Sequence, residues 1–264
     1  MARALNDLRF ARALLATSVK ASIVLGGPFA MEVVFMILNN VTFFVFWWVL
    51  LSRVPDVGGW RLGEMQVLFG VVAAAFGLAV TVCGGVRQLG RLIDDGELDV
   101  LLVQPKPVLL HALGMRSQAS GFGDMISGAF FIAWSGRVSW SAAPVVAVAI
   151  VSSALVVVAS AVVFYSLAFW LGKMDTVARQ LWELLITFSV YPEPLFGGAL
   201  RAALFTLIPA GFVGYLPARV ILHASAPQLL LLTGGAAAYL AIAIAVFQRG
   251  LRRYASGSRF VTFG

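Results

Sequence analysis

Side chains able to carry chemistry are few in this sequence: Cys83, His111, His223, the lysines Lys20, Lys106 and Lys173, and 12 carboxylates. A metal centre needs ligands at close spacing, and His111 and His223 stand far apart, with no H-E-x-x-H and no Cys/His cluster around them. His111 follows Pro105-Lys106-Pro107 and reads as an interfacial histidine. A phosphate-cradling loop needs a lysine directly after a G-x-x-x-x-G turn, and none of the three lysines follows one. The chain therefore does not hydrolyse ATP through a P-loop of its own. No G-x-S-x-G elbow offers a serine nucleophile, and a lone Cys83 forms no intrachain disulfide. The expectation is a non-catalytic chain that binds no cofactor or metal itself.

Three groupings of charge remain. Asp94, Asp95, Glu97 and Asp99 crowd together in the polar stretch 87–107, beside Leu98, Val100, Leu101, Leu102 and Val103. A solvated turn accounts for the carboxylates but leaves those apolar residues in water, whereas a short interfacial helix started after Gly96 and stopped before Pro105 would seat them against a cleft in a partner protein or against the membrane. A second charged turn, 172–179, holds Lys173 and Asp175. The third grouping is Glu193 with Arg201, inside a tract that runs from Tyr191 to Pro227 and contains Pro192, Pro194, Pro209, Pro217 and Pro227. Three further charges have simpler readings. Glu32, one turn past Pro28, reaches the headgroup level, and Arg179 with Glu183 reads as a helix-face pair at i, i+4.

The elements that must position these residues follow from composition. Apolar residues make up 61% of the 264, charged ones 12%, and mean hydropathy is +0.94, too little charge to coat a water-facing globule. The net charge of +7 is scattered between apolar runs instead of gathered on one face, which argues against nucleic acid as a partner. At roughly 20 residues per crossing, the runs at about 28–51, 64–86, 108–135, 142–171, from about 180, and 228–247 read as six membrane-spanning helices in an all-α fold. The third is interrupted by Arg116, Ser117, Gln118, Ser120 and Asp124. Residues 1–27 read as an interfacial helix, and 28–264 as one transmembrane domain. The proline-rich tract at 191–227 cannot be one straight helix, so it reads as short helices dipping back into the membrane. With both termini inside, only Arg53, Arg61, Arg137, Arg201 and Arg219 of the 19 Lys and Arg fall outside, so the positive-inside rule puts the termini in the cytoplasm.

Three stretches carry a family resemblance: G-E-L-D-V-L-L-V-Q-P from Gly96 to Pro105, Y-P-x-P-L-F-G-G from Tyr191 to Gly198, and G-L-R-R-Y-A-S-G-S from Gly250 to Ser258. In these the chain resembles the ABC-2 type permeases of ABC exporters, the small six-span bacterial kind. The resemblance implies an outward-moving permease working by alternating access in the bacterial cytoplasmic (inner) membrane. Its implied partners are two copies of a separate ATPase that holds ATP and Mg, a second, non-identical permease, and membrane lipids. It also implies an ATPase-coupling role for Asp94, Asp95, Glu97, Leu98, Asp99, Leu101 and Leu102 with Lys173 and Asp175. A substrate path or external gate would take in Tyr191, Pro192, Glu193, Phe196 and Arg201. Alternatives are a channel or secondary transporter that needs no ATPase, or an integral membrane enzyme, which the missing catalytic set disfavours.

Overall fold

The computed structural model describes residues 2–24 and 26–254; positions 255–258 of the last resembling stretch, and Arg259, lie outside them. Among the described residues the chain is helical, and its only β feature is an isolated bridge between Val57 and Trp60. Helix α1 (Ala2–Val24) precedes the long α2 (Gly27–Arg53), α3 (Leu62–Cys83), α4 (Leu89–Asp94), α5 (Leu98–Leu102), α6 (Val108–Gly114) and α7 (Ser120–Trp134). Then come α8 (Ala143–Ser166), α9 (Ala168–Leu171), α10 (Asp175–Ser189), α11 (Gly198–Ala203), α12 (Leu216–His223) and α13 (Ala226–Arg253). Helices α2, α8 and α13 each carry a proline in the first turn, where the missing N–H costs no hydrogen bond.

Four helical stretches are long and apolar enough to cross a membrane: Gly27–Arg53, Leu62–Asp94, Trp140–Leu171 and Ala226–Arg253. Six were expected. The fifth, α10, has 15 residues, about 22 Å at 1.5 Å per residue against a hydrocarbon thickness of about 30 Å, and it starts at Asp175 instead of near 180. The third is split into α6 and the 15-residue α7 by the non-helical segment 115–119.

That split has a physical cause in the neighbouring helix. After Cys83 the second span tightens into a 3-10 turn at Gly84–Gln88, which frees the Val80 carbonyl from its place in the α-helical ladder. The Gln118 N–H donates to that carbonyl at 3.2 Å, and the Gln118 side-chain amide donates to the Gly84 carbonyl at 3.4 Å. The polar run Arg116 to Gln118 interrupts one span because it docks on the break in another, and irregular backbone is tolerated at such depth when protein satisfies it. The helix resumes as α4 and continues to Asp94, so Arg87 and Arg91 ride on an extension of the second span instead of hanging in a loop.

Helices α3 and α8 form the buried centre, with α7 and then α2 against one flank and α13 against α8. The α3–α7 crossing is set by two glycines on each side, seven residues apart. A Cβ on Gly77 would meet the Gly121 carbonyl oxygen at 2.5 Å, and one on Gly128 would meet the Gly70 carbonyl oxygen at 2.6 Å. Only residues without a side chain let two backbones come this close in a membrane bundle. The 191–227 tract breaks into a 3-10 turn, α11, a π turn at Gly211–Tyr215 and α12, and it folds back onto α3, α8 and α10, burying Val213, Leu216, Val220 and Ile221.

Candidate functional site

Both charged turns come together at one end of the bundle. Asp94, at the end of α4, accepts a hydrogen bond from the backbone N–H of Met174 and lies beside Asp95, Lys173 and Asp175. Asp94, Asp95, Glu97 and Lys173 are exposed. Gly96, at φ +75°, makes the sharp turn into α5 that a side chain would resist. Of the apolar residues there, Leu98 and Leu101 are buried in the chain's own core, while Leu102, Val100 and Val103 are exposed. The five-residue helix is thus fastened by two leucines and shows an apolar edge and a row of carboxylates outward. Asp99, half-buried, is also engaged within the fold. Arg179 pairs with Asp175 at 2.7 Å, one turn toward the N-terminus, and not with Glu183 as the spacing suggested. A carboxylate in the first turn of a helix is favoured by the helix dipole, which makes position 175 the better partner.

At the opposite end, the Glu193 carboxylate is buried and paired with the Arg201 guanidinium, whose side chain is mostly exposed. Pro192 is buried, Phe196 packs edge-on against Phe188 at 5.5 Å, and Tyr191 packs edge-on against Trp47 at 5.4 Å. The space around Glu193, Phe196 and Tyr215 is only about 10 Å³, so these residues pack together as a plug. Tyr191 alone of the group also borders a larger space.

That space, about 360 Å³, lies between α2, α3, α7 and α10. Its walls are apolar and aromatic, with Phe43, Phe69, Phe76 and Trp182 prominent, and its polar points include Asn39, Asn40, Asp124, Glu183 and Thr187, with Arg87 and Gln118 at one margin. The Asn40 amide donates to the Asp124 carboxylate and to the Ser127 hydroxyl, both at 2.7 Å, joining α2 to α7. Glu183 and Thr187 project from an exposed part of α10, and Glu183 makes no ion pair among the described residues. An apolar-walled recess with a few fixed polar groups is the usual form of a small-molecule site.

A second cavity of about 420 Å³ opens nearer the loop end, lined by Arg87, Arg91, Arg116 and Arg179 together with Glu32, Gln88, Gln118 and Tyr165. Arg87 and Gln118 line both spaces. The sequence reading missed these two sites. Asp124 and Arg116 registered only as interruptions of a span, although an ionisable residue inside an apolar run is itself a pointer to function. Asn40, buried in α2, gave no local signal.

Comparison with known proteins adds one finding. A family model described as ABC-2 family transporter protein matches residues 37–258, from inside α2 through the loop cluster and the proline-rich tract to the tail. No curated protein and no solved structure matches the chain.

Proposed function

The chain belongs to the ABC-2 transporter family, and from that premise we propose that it is the export permease through which a partner ATPase moves a substrate outward by alternating access. Membership makes it a membrane permease of an ABC transporter. The observation that supports the finer reading is the 360 Å³ recess between α2, α3, α7 and α10, whose α2 and α10 sides carry exposed residues such as Asn39, Phe43, Glu183 and Thr187. A half-built path of this kind is completed by a second permease facing it, and small residues on the helices suit such packing. In this reading α7 and α10 count as short spans, giving six. The bacterial inner membrane is the setting, and both termini lie in the cytoplasm because the basic residues gather at that end. ATP and Mg stay with the ATPase, two copies of which serve two non-identical permeases.

Coupling runs through the joined turns. A push on α5 passes through Leu98 and Leu101 into the core, and through Asp94 to Met174 at the foot of α10, so one contact moves two walls of the recess. The exposed carboxylates Asp95 and Glu97 set register against basic residues on the ATPase. The test is the double variant Asp95→Lys with Glu97→Lys, which keeps the buried leucines. It should insert normally yet lose co-purifying ATPase and substrate-stimulated hydrolysis. Normal association and normal stimulation would remove the loop from the mechanism.

A channel would need no such loop. The reading that the chain works without an ATPase is therefore disfavoured by the cluster itself.

A further inference from the structure

We propose that the arginine-lined cavity holds the anionic, phosphate-class head of an amphiphile whose apolar tail occupies the adjoining recess. The proposal deepens the export reading by naming a substrate class, and it rests on that reading.

Charge inside the cavity is unbalanced. Four guanidiniums, those of Arg87, Arg91, Arg116 and Arg179, line it against the single carboxylate of Glu32. Asp175 holds Arg179 at 2.7 Å, and no ion pair engages Arg87, Arg91 or Arg116 among the described residues. What Arg87 and Arg116 do have are neutral partners that aim them. The Arg87 guanidinium donates to the Gln118 side-chain oxygen at 3.2 Å. The Gln88 amide, oriented to satisfy both, accepts from Arg116 Nε at 2.9 Å and Nη1 at 2.8 Å. A glutamine fixes the direction of a guanidinium without neutralising it, so the charge is kept for something else.

Three guanidiniums that no carboxylate neutralises fit an oxyanion with several acceptor oxygens, and arginine's planar fork suits phosphate in particular.

The apolar part follows from what lies next door. Arg87 and Gln118 border both cavities, and beyond them the recess is walled by Phe69, Phe76 and Trp182. A free inorganic anion would have no use for that wall. An apolar chain attached to the phosphate would, since burying it removes apolar surface from water.

The experiment uses the full-length chain in nanodiscs of zwitterionic lipid, titrated with an alkyl phosphate carrying a bromine near the end of its tail. Saturable quenching of tryptophan fluorescence is expected, and Trp182→Phe should remove most of it. Arg87→Gln and Arg116→Gln should each raise the apparent Kd by about ten- to a hundredfold, the range for losing a hydrogen bond to a charged group. Arg249→Gln, a charge removed from the last turns of α13 that lines neither cavity, should leave it unchanged. An alkyl glucoside with the same brominated tail should show no dependence on either arginine, which also reports that the variants are folded. Equal affinity across all variants would overturn the proposal. Inorganic phosphate displacing the quencher at matching concentration would overturn the amphiphile in favour of a free anion. No step of this assay involves ATP, so a failed site leaves the permease reading standing, and a failure of ATP-driven transport leaves a positive binding result standing.

Discussion

A methyl group added to Gly77 tests the helix crossing on which the recess depends. The new Cβ would lie 2.5 Å from the Gly121 carbonyl oxygen, 2.7 Å from the Asp124 Cβ and 2.8 Å from the Met125 nitrogen, where ordinary contact begins at 3.4 Å. Backbone stands on the far side, so no side chain can rotate away, and α7 must retreat by about 0.9 Å, the shortfall against ordinary contact. A gap of that width forfeits a quarter to a half of the dispersion energy of every atom pair along the seam. Overpacking of this kind costs about 1–3 kcal/mol. Exchange of glycine for alanine inside a helix also gains up to about 1 kcal/mol in propensity, which would mask part of the loss. Gly234, in the interior of α13, provides the correction, because a Cβ there meets nothing within 4 Å. Gly77→Ala should therefore be less stable than Gly234→Ala by about 1–3 kcal/mol, with propensity cancelling in the difference. Unfolding in mixed micelles, followed by circular dichroism, measures it. Equal stability of the two variants would refute the close crossing of α3 and α7.

The Asn40–Asp124 contact predicts a coupling of about 0.6–1.7 kcal/mol in a double-mutant cycle of Asn40→Ala with Asp124→Ala, and additive effects would show the pair to be independent. At the opposite end, Arg201→Ala leaves the buried Glu193 carboxylate without its counter-charge, with only the Tyr215 side chain still hydrogen-bonded to it, and should destabilise the protein. Adding Glu193→Gln should recover part of the loss, because the uncompensated charge is then gone. If the double variant melts below the single one, the pair is not what holds the plug.

Much of the arrangement is readable in the sequence because it is written in breakers and charges. Gly96 and Pro105 mark off the short helix at 98–102, and the five prolines after Tyr191 forbid a straight span there, whatever the tertiary context. What escapes is pairing through space. Nothing local tells Arg116 to Gln118 that a 3-10 turn at Gly84 waits for their backbone, so a docked segment looks like a defective span. Arg87 and Arg91 read as the start of a loop because charge normally marks the exit from hydrocarbon, yet the helix carries them on, with Arg87 bordering both cavities. The Arg179 partner escapes for a related reason: i, i+4 spacing allows Asp175 and Glu183 equally, and the pair forms with Asp175 at the helix start.

An ATP-driven permease must turn the recess between α2, α3, α7 and α10 from one side of the membrane to the other. A cysteine at Thr187, in a Cys83→Ala background, places a label site on its wall. With the partner ATPase in proteoliposomes, an impermeant maleimide should reach position 187 from the side of the termini without nucleotide, and from the opposite side once vanadate traps ATP. Labelling from one fixed side in both states, or an unchanged pattern when the ATPase is left out, would contradict an ATP-driven permease.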